Sequence, residues 1–182
     1  ALAQERLALS LSESHRLKHL LNEILFYAKP QVNHLSKLNL NHLLNELIDQ
    51  IKEIPEADER QIEFVNAASK VEVLGDVDKL KQVFINLFRN ALEAIAIGET
   101  VTCKIMPGTH LNQVCIQIQN GGAPIPPEIL VCLTEPFCSA KPSGTGLGLA
   151  IVKRIIAAHD GEFSIASTPE GTTVRVELAI VE

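Results

Sequence analysis

The sequence contains few aromatic residues and no excess of positive charge. Its 182 residues include six Phe, one Tyr and no Trp, and 22 acidic residues outnumber 16 basic ones to give a net charge of −6. Nucleic-acid-binding proteins usually carry a basic patch or stripe, so we expect no nucleic-acid partner. No apolar run approaches the ~18 residues of a membrane span, and the first residues lack an export signal. We therefore expect a cytoplasmic fragment without membrane contact, whose parent protein can still be membrane-anchored.

Cysteine is also sparse. Its four residues form no C-x-x-C pair and no zinc-ligand spacing; they are Cys103, Cys115, Cys132 and Cys138. We expect all four to be thiols in a reducing compartment. A hairpin turning around residues 107–110 would place Cys103 opposite Cys115, and free thiols are expected there too.

Residues 1–36 are predicted to form a separate helical unit. Over the first 28 residues, apolar side chains recur at three- and four-residue steps: Leu17, Leu20, Leu21, Ile24, Leu25 and Ala28. Pro30 should end this helix. A helix with such an apolar seam has to bury it against something. The partner is either a helix, from a second chain or from a missing segment, or the helix's own domain.

Residues 37–182 are predicted to form one compact domain. Asn41 can cap a helix, Asp76 can cap a second one over 77–95, and a third covers 146–158. Strands are predicted at 61–66, 71–74, 100–106, 113–119, 163–167 and 173–180. This order predicts an α/β (α+β) two-layer sandwich, with helices on one face of a mixed, mostly antiparallel sheet.

A proline-rich segment interrupts this domain. Between Gly121 and Gly144 lie 24 residues with five of the nine prolines. Structureless connections longer than ~12–15 residues are uncommon in small domains and are usually functional lids or disordered. Glycines at both ends suit a hinged lid.

Three polar patterns flank this segment. Asn86, Asn90 and Glu93 fall at i, i+4 and i+7 of a helix and share one stripe. A buried amide without a partner costs ~1–3 kcal/mol, so Asn86 either bonds within the protein or faces a polar cleft. An amide oxygen is also an adequate Mg²⁺ ligand. The stripe alone leaves structural and catalytic interpretations open.

Asn120 continues the core-facing row of a strand and precedes two glycines. An asparagine at this position can contact the edge of a planar polar ligand. It can equally start an Asn-Gly turn. Gly144, Gly146 and Gly148 then lead into a helix, where backbone N–H groups can approach a phosphate. The spacing differs from those of the P-loop and the dinucleotide fingerprint.

Together these segments resemble the ATP-binding domain of histidine kinases, whose superfamily includes DNA gyrase, a heat-shock chaperone family and the MutL repair proteins. The matching N, G1, F and G2 boxes are residues 86–94, 120–128, 135–141 and 144–149. Residues 13–25 look like the second helix of the dimerisation hairpin. The resemblance implies a Bergerat-type sandwich that holds ATP between helices and lid.

The resemblance also implies roles for individual residues. Catalysis would involve Asn86, Asn90 and Lys141, with Asn90 as the Mg²⁺ ligand. Phe137 would anchor the lid, and Asn120 would take the place of the family's adenine-recognising aspartate. The implied ATP-binding set is Asn86, Asn90, Asn120, Gly122, Ile125, Phe137, Lys141, Gly144, Thr145, Gly146, Leu147, Gly148 and Thr172.

The implied reaction is transfer of the ATP γ-phosphoryl group to a histidine on a dimerisation helix, for relay to a response regulator receiver domain. His15 is followed by Arg16 on the second helix, so the acceptor is expected outside this chain and the fragment should not phosphorylate itself. The other histidines, including His159, are expected at solvated or helix-surface positions. The full-length protein should form a homodimer through the N-terminal helix.

The sequence departs from the family pattern at two positions. Asn120 replaces an aspartate and should bind adenine more weakly, because the charge-assisted hydrogen bond is lost. Pro124 replaces a glycine where the lid hinges. One alternative is a hydrolase of the gyrase or chaperone type, but such enzymes need a carboxylate where Asn86 stands. A second alternative is a degenerate docking module that binds no nucleotide.

Overall fold

The computed structural model describes residues 34–66, 71–141 and 144–181, together with scattered positions between 6 and 25. Those scattered positions are helical, but the predicted helix over residues 1–28 as a whole lies outside the described residues. The division into 1–36 and 37–182 therefore stays a prediction.

The described elements alternate between strands and helices along the chain. Their order is β1 (Ser36–Asn39), α1 (Leu40–Ile51), a 3₁₀ turn (Pro55–Ala57), β2 (Gln61–Asn66), β3 (Glu72–Gly75), α2 (Val77–Ala94), β4 (Thr100–Pro107), β5 (Gln113–Asn120), α3 (Pro127–Leu130), α4 (Gly148–Ala157), β6 (Glu162–Thr168) and β7 (Gly171–Ala179).

Five strands form the main sheet in the order β2-β4-β5-β7-β6. Among the described strands of this sheet, only the β2–β4 pair is parallel, and the other three pairs are antiparallel. Strands β1 and β3 form a separate antiparallel pair. The predicted mixed, mostly antiparallel sheet is therefore confirmed.

The sheet buries one face only, as the alternation along its strands predicts. In β4, Val101, Cys103 and Ile105 are buried, whereas Thr102 and Lys104 between them remain partly exposed. The long helices pack on the buried face. Each of these two helices buries one apolar face, formed by Leu43, Leu44, Leu47, Ile48 and Ile51 on α1 and by Leu80, Val83, Phe84, Leu87 and Ala91 on α2.

One predicted helix cap is confirmed and one is wrong. Asp76 caps α2, since its side chain accepts a hydrogen bond from the Lys79 N–H at 3.2 Å. Helix α1 is capped by Asn39, not Asn41, and the Asn39 side chain accepts from the His42 N–H at 3.0 Å. The short strand β1, which the sequence analysis missed, runs directly into this helix and moves its start.

His159 is buried, so the expected surface position is wrong. Its Nε2 accepts a hydrogen bond from the Asp76 N–H at 3.0 Å, and its Nδ1 lies 2.8 Å from the Ile155 carbonyl oxygen, to which it donates. These bonds require the neutral ring with the proton on Nδ1. His159 thus links the end of α4 to the start of α2.

The β4–β5 register differs from the prediction. Cys103 lies opposite Ile118 and Cys115 opposite Met106, so the two cysteines do not face each other. The turn is longer than expected, because the Gly108 N–H bonds to the Gln113 carbonyl at 2.9 Å. Both cysteines are free thiols, as expected.

The other two cysteines are joined, so the expectation of four thiols is wrong. Cys132 and Cys138 form a disulfide within the predicted lid. Sequence spacing could not reveal this pairing, because two cysteines separated by five intervening residues come together only if the chain reverses between them.

We predict that Glu177 stabilises the folded state at neutral pH and that this contribution is lost in acid. Its carboxylate accepts hydrogen bonds from the Thr109 N–H at 2.9 Å and the Thr109 hydroxyl at 2.7 Å, and these bonds hold the pKa of Glu177 below its ordinary value. The contribution is complete above pH ~4.3, the pKa of an unfolded glutamate, and is lost as the pH falls through the folded pKa.

Urea unfolding of Glu177→Gln between pH 7 and pH 3 measures this effect. The variant should lose on the order of 1 kcal/mol at pH 7 and progressively less at lower pH. A stability difference that is constant across this range would contradict the assignment.

Candidate active site

A cavity of about 710 Å³ lies between α2, the lid and the glycine-rich turn before α4. Ten of the thirteen residues in the predicted ATP-binding set line it: Asn86, Asn90, Asn120, Ile125, Lys141, Gly144, Thr145, Gly146, Gly148 and Thr172. The other three, Gly122, Phe137 and Leu147, do not line it.

Helix α2 supplies one wall of the cavity. Asn86 and Asn90 are half-buried and line the cavity, and in the described part of the chain neither side-chain amide has a hydrogen-bond partner. A Cβ placed on Gly148 would lie 4.0 Å from Asn86 Nδ2, so this amide is next to the start of α4. Both amides are therefore available to a ligand.

The sheet contributes polar groups at the opposite end of the cavity. Asn120 is 6% exposed and lies in register with Thr172 on β7. The Asn120 Nδ2 donates to the Gly121 carbonyl, which leaves Oδ1 as the acceptor on this side chain. The Thr172 hydroxyl lies 3.2 Å from that of Ser167, which accepts from the Ile125 N–H at 2.9 Å.

Ser167 was missed by the sequence analysis. It joins the start of the lid to strand β6, and its hydroxyl contacts a residue of the predicted set. Alternation along β6 places it on the core side, but no motif distinguishes it from the other polar residues of that strand.

The glycine-rich turn is held by tertiary contacts. Gly146 has φ +69°, and a Cβ there would come within 2.5 Å of the Phe137 carbonyl carbon. Leu147 is fully buried and fixes the turn in the core. No described side chain caps the start of helix α4, so its first N–H groups are open to an anion.

Phe137 is placed differently from the lid anchor that the resemblance implied. Its side chain is 71% exposed, and its φ is +64°. The lid is held there by the backbone, since the Phe137 N–H donates to the Gly146 carbonyl at 3.0 Å. Leu133 is 8% exposed and lines the cavity, so it is a buried apolar side chain of the lid.

Two ion pairs border the cavity. Lys141 on the lid pairs with Glu93 on α2, and Arg89 on α2 lies 3.4 Å from Glu56. All four side chains line the cavity, so its fixed charges cancel. The sequence analysis missed Arg89 and Glu56; Arg89 is three residues from Asn86 and thus shares its helix face.

Gly122 acts through the backbone. Its φ is +91°, and a Cβ would lie 2.1 Å from the Ala94 carbonyl oxygen. The chain therefore passes close to the last residue of α2 as it leaves β5, and only glycine fits there. This contact aligns the end of β5, and with it Asn120, with helix α2.

Comparison with known proteins identifies the family. A family model described as "Histidine kinase-, DNA gyrase B-, and HSP90-like ATPase" matches residues 75–182. The chain belongs to this family. Within it, sporulation kinase A of Bacillus subtilis (strain 168) is 35% identical over 167 residues, which cover 91% of this chain and 27% of that protein.

Solved structures of this ATPase family show the same fold. The catalytic domain of histidine kinase ThkA matches with a TM-score of 0.73 at 28% identity, covering 81% of this chain and 96% of that one. ThkA in complex with response regulator protein TrrA matches with a TM-score of 0.78 at 28% identity, covering 94% of this chain and 49% of that one. The predicted family and sandwich fold are confirmed.

The match is partial in length. The chain spans about a quarter to two-fifths of the length of the curated relatives it matches. Among the described residues, no helix has both the length and the apolar character needed to cross a bilayer. The same residues contain no group of three or more His, Cys, Asp or Glu side chains that could hold a metal ion.

We predict that Gly122→Ala disrupts the junction between β5 and α2. Gly98 provides a matched control, because its φ is +84° but a Cβ there would meet nothing within 4 Å. Gly98→Ala should cost about 1 kcal/mol from backbone strain alone. Gly122→Ala should cost at least ~3 kcal/mol, since a steric clash is added. Urea unfolding measures both, and equal losses would show that the Ala94 contact is unimportant.

Proposed function

We propose that this chain is the ATP-binding catalytic domain of a two-component sensor histidine kinase. It would transfer the ATP γ-phosphoryl group to a histidine outside this chain, for relay to a response regulator. The convergence of Asn86, Asn90, Asn120 and the glycine-rich turn on one cavity carries this proposal. The kinase names of its relatives support it.

The two ends of the cavity suit the two ends of ATP. At the sheet end, Asn120 Oδ1 can accept a hydrogen bond from the adenine amino group, with Thr172 beside it. At the other end, the uncapped start of α4 and the backbone of Gly144 and Gly146 offer N–H groups to phosphate oxygens. The nucleotide would therefore lie with its adenine at the sheet and its phosphates at the glycine-rich turn.

The residues present also fit a Mg²⁺ ion that arrives with the nucleotide. Mg²⁺ usually takes one or two protein ligands, several waters and substrate phosphate oxygens. The unpaired amide of Asn90 would supply a hard oxygen ligand of this kind, with Asn86 lining the same cavity, and no protein carboxylate cluster is needed. When bound, the ion would neutralise charge on the phosphates during transfer.

The protein's own part in transfer would be to position and to neutralise. Lys141 lies on the lid and would exchange its partner Glu93 for a phosphate oxygen when nucleotide binds. Leu133 and the lid would exclude water from the phosphates. A neutral imidazole is itself the nucleophile and needs no base, which agrees with an asparagine at position 86.

Other features of the proposal follow from the same family membership. The complex of ThkA with a response regulator supports a receiver domain as partner. Homodimerisation through the N-terminal helix and a cytoplasmic location complete the proposal. The described helical positions near the N terminus include exposed leucines available to a partner helix, among them Leu17, Leu21 and Leu25.

We predict that Asn90→Ala abolishes phosphoryl transfer without unfolding the domain. The assay supplies Mg·ATP and a separate dimerisation helix that bears the acceptor histidine, and measures phosphohistidine. Asn45→Ala is the matched control, because Asn45 is an exposed residue of α1 away from the cavity. Transfer should fall at least ~100-fold in Asn90→Ala and stay unchanged in the control.

The competing functions give different results in this assay. Normal transfer by Asn90→Ala would contradict its assigned role. Release of inorganic phosphate without phosphohistidine would favour a hydrolase. Absence of any thermal shift with millimolar nucleotide and Mg²⁺ would favour a docking module, because a specific ligand raises apparent stability by mass action.

A further inference from the structure

The lid contains a cysteine pair that the proposed function does not use. Cys132 follows α3 and Cys138 comes six residues later, and the two form a disulfide. Cys138 lines the cavity, and both residues are half-buried, so reagents can reach them. Disulfides accessible in this way are often labile or regulatory.

The remaining thiols are poor competitors for the same chemistry. Burial raises the pKa of Cys103 to about 12, and burial followed by the charge of Glu177 raises that of Cys115. Thiol–disulfide exchange proceeds through the thiolate, so these two buried cysteines are unreactive. Redox chemistry in this domain is thereby confined to the lid.

The disulfide is located where the lid meets the glycine-rich turn. Gly146 packs against the peptide that joins Phe137 to Cys138, so closely that a Cβ would lie 2.7 Å from the Cys138 nitrogen. The Phe137 N–H bonds to the Gly146 carbonyl at 3.0 Å. Cys138 is thus fixed on one side by the turn and on the other by its bond to Cys132.

The residues after Cys138 carry this constraint to the cavity. The Ser139 hydroxyl donates to the Lys141 carbonyl at 3.1 Å and accepts from the Lys141 N–H at 3.0 Å. The Lys141 carbonyl also accepts from the Gly144 N–H at 3.1 Å. The bridge therefore anchors the short segment that presents Lys141 to the proposed phosphate end.

We propose that the Cys132–Cys138 pair is a redox modification site that sets the affinity of the cavity for nucleotide. This inference rests on the proposed nucleotide-binding function. Its reaction is thiol–disulfide exchange with a small-molecule disulfide: one cysteine thiolate attacks it, one small thiol leaves, and the second cysteine then displaces the other. Two protein thiols are oxidised to one disulfide, and the small disulfide is reduced to two thiols.

The oxidised form is the tighter nucleotide binder. The bridge closes a ring around residues 133–137, so segment 138–141 starts from an ordered anchor before ligand arrives. In the reduced form this ordering has to occur on binding, which lowers affinity. Ordering one additional side chain on binding lowers the affinity for nucleotide about threefold, and we expect the reduced form to lose at least this much affinity.

The test compares oxidised and reduced protein. A thiol titration in denaturant should find two thiols per chain after treatment with oxidised glutathione and four after reduction. Calorimetry with ADP and Mg²⁺ should then give a dissociation constant that rises about threefold or more on reduction. The double variant Cys132→Ser/Cys138→Ser removes the bridge and leaves no lid thiol that could form a mixed disulfide with glutathione, so it should bind ADP like the reduced protein under both conditions.

Each outcome is informative. Four thiols after oxidation, or equal ADP affinity in both redox states, would overturn this inference but leave the proposed function intact. A redox effect that persists in Cys132→Ser/Cys138→Ser would assign it to Cys103 or Cys115 and equally overturn the inference. Failure of both forms to bind ADP would count against the proposed function itself.

Discussion

Helix α2 has to bury one apolar face while its adjoining face stays polar, and the position of the site follows from this constraint. Leu80 and Phe84 are fully buried on one face of α2, a helix that packs against α4 and β5, and the 3.6-residue period then directs Asn86 and Asn90 toward the cavity. The forces that form the core therefore also place the two amides, and no separate element is needed to hold them. Asp76 and His159 strengthen the arrangement by fixing the start of α2 against the end of α4.

Electrostatics complement this packing. Each cation at the cavity is paired with a carboxylate, Lys141 with Glu93 and Arg89 with Glu56, so no net charge has to be stabilised when the cavity contains only solvent. An incoming polyphosphate would compete with Glu93 for Lys141 and meet uncapped N–H groups at α4. In each pair at least one side chain is more than a third exposed, so each ion pair contributes little stability. Replacing the carboxylate by a phosphate oxygen therefore costs little free energy.

Local sequence patterns predicted most of the fold, because apolar periodicity and caps act over a few residues. The face of α2, the alternation of β5 and the position of Asn120 all belong to this class. Contacts between distant segments were not predictable in this way. The β4–β5 register depends on a turn without a strong sequence signature. His159 is buried where it accepts a hydrogen bond from Asp76, 83 residues away, and the Cys132–Cys138 disulfide requires the lid to fold back on itself. The cavity pair Glu56 and Arg89 likewise joins two elements that no motif connects.

The central claim is that one nucleotide contacts α2, the end of β5 and the glycine-rich turn at the same time. The most direct measurement is an NMR titration of ¹⁵N-labelled protein with a non-hydrolysable ATP analogue and Mg²⁺, in which the asparagine side-chain amides are visible. We expect the amide signals of Asn86, Asn90 and Asn120 and the backbone signals of Gly144–Gly148 to shift together, with one dissociation constant. Shifts confined to one of these segments, or different dissociation constants for them, would contradict the claim.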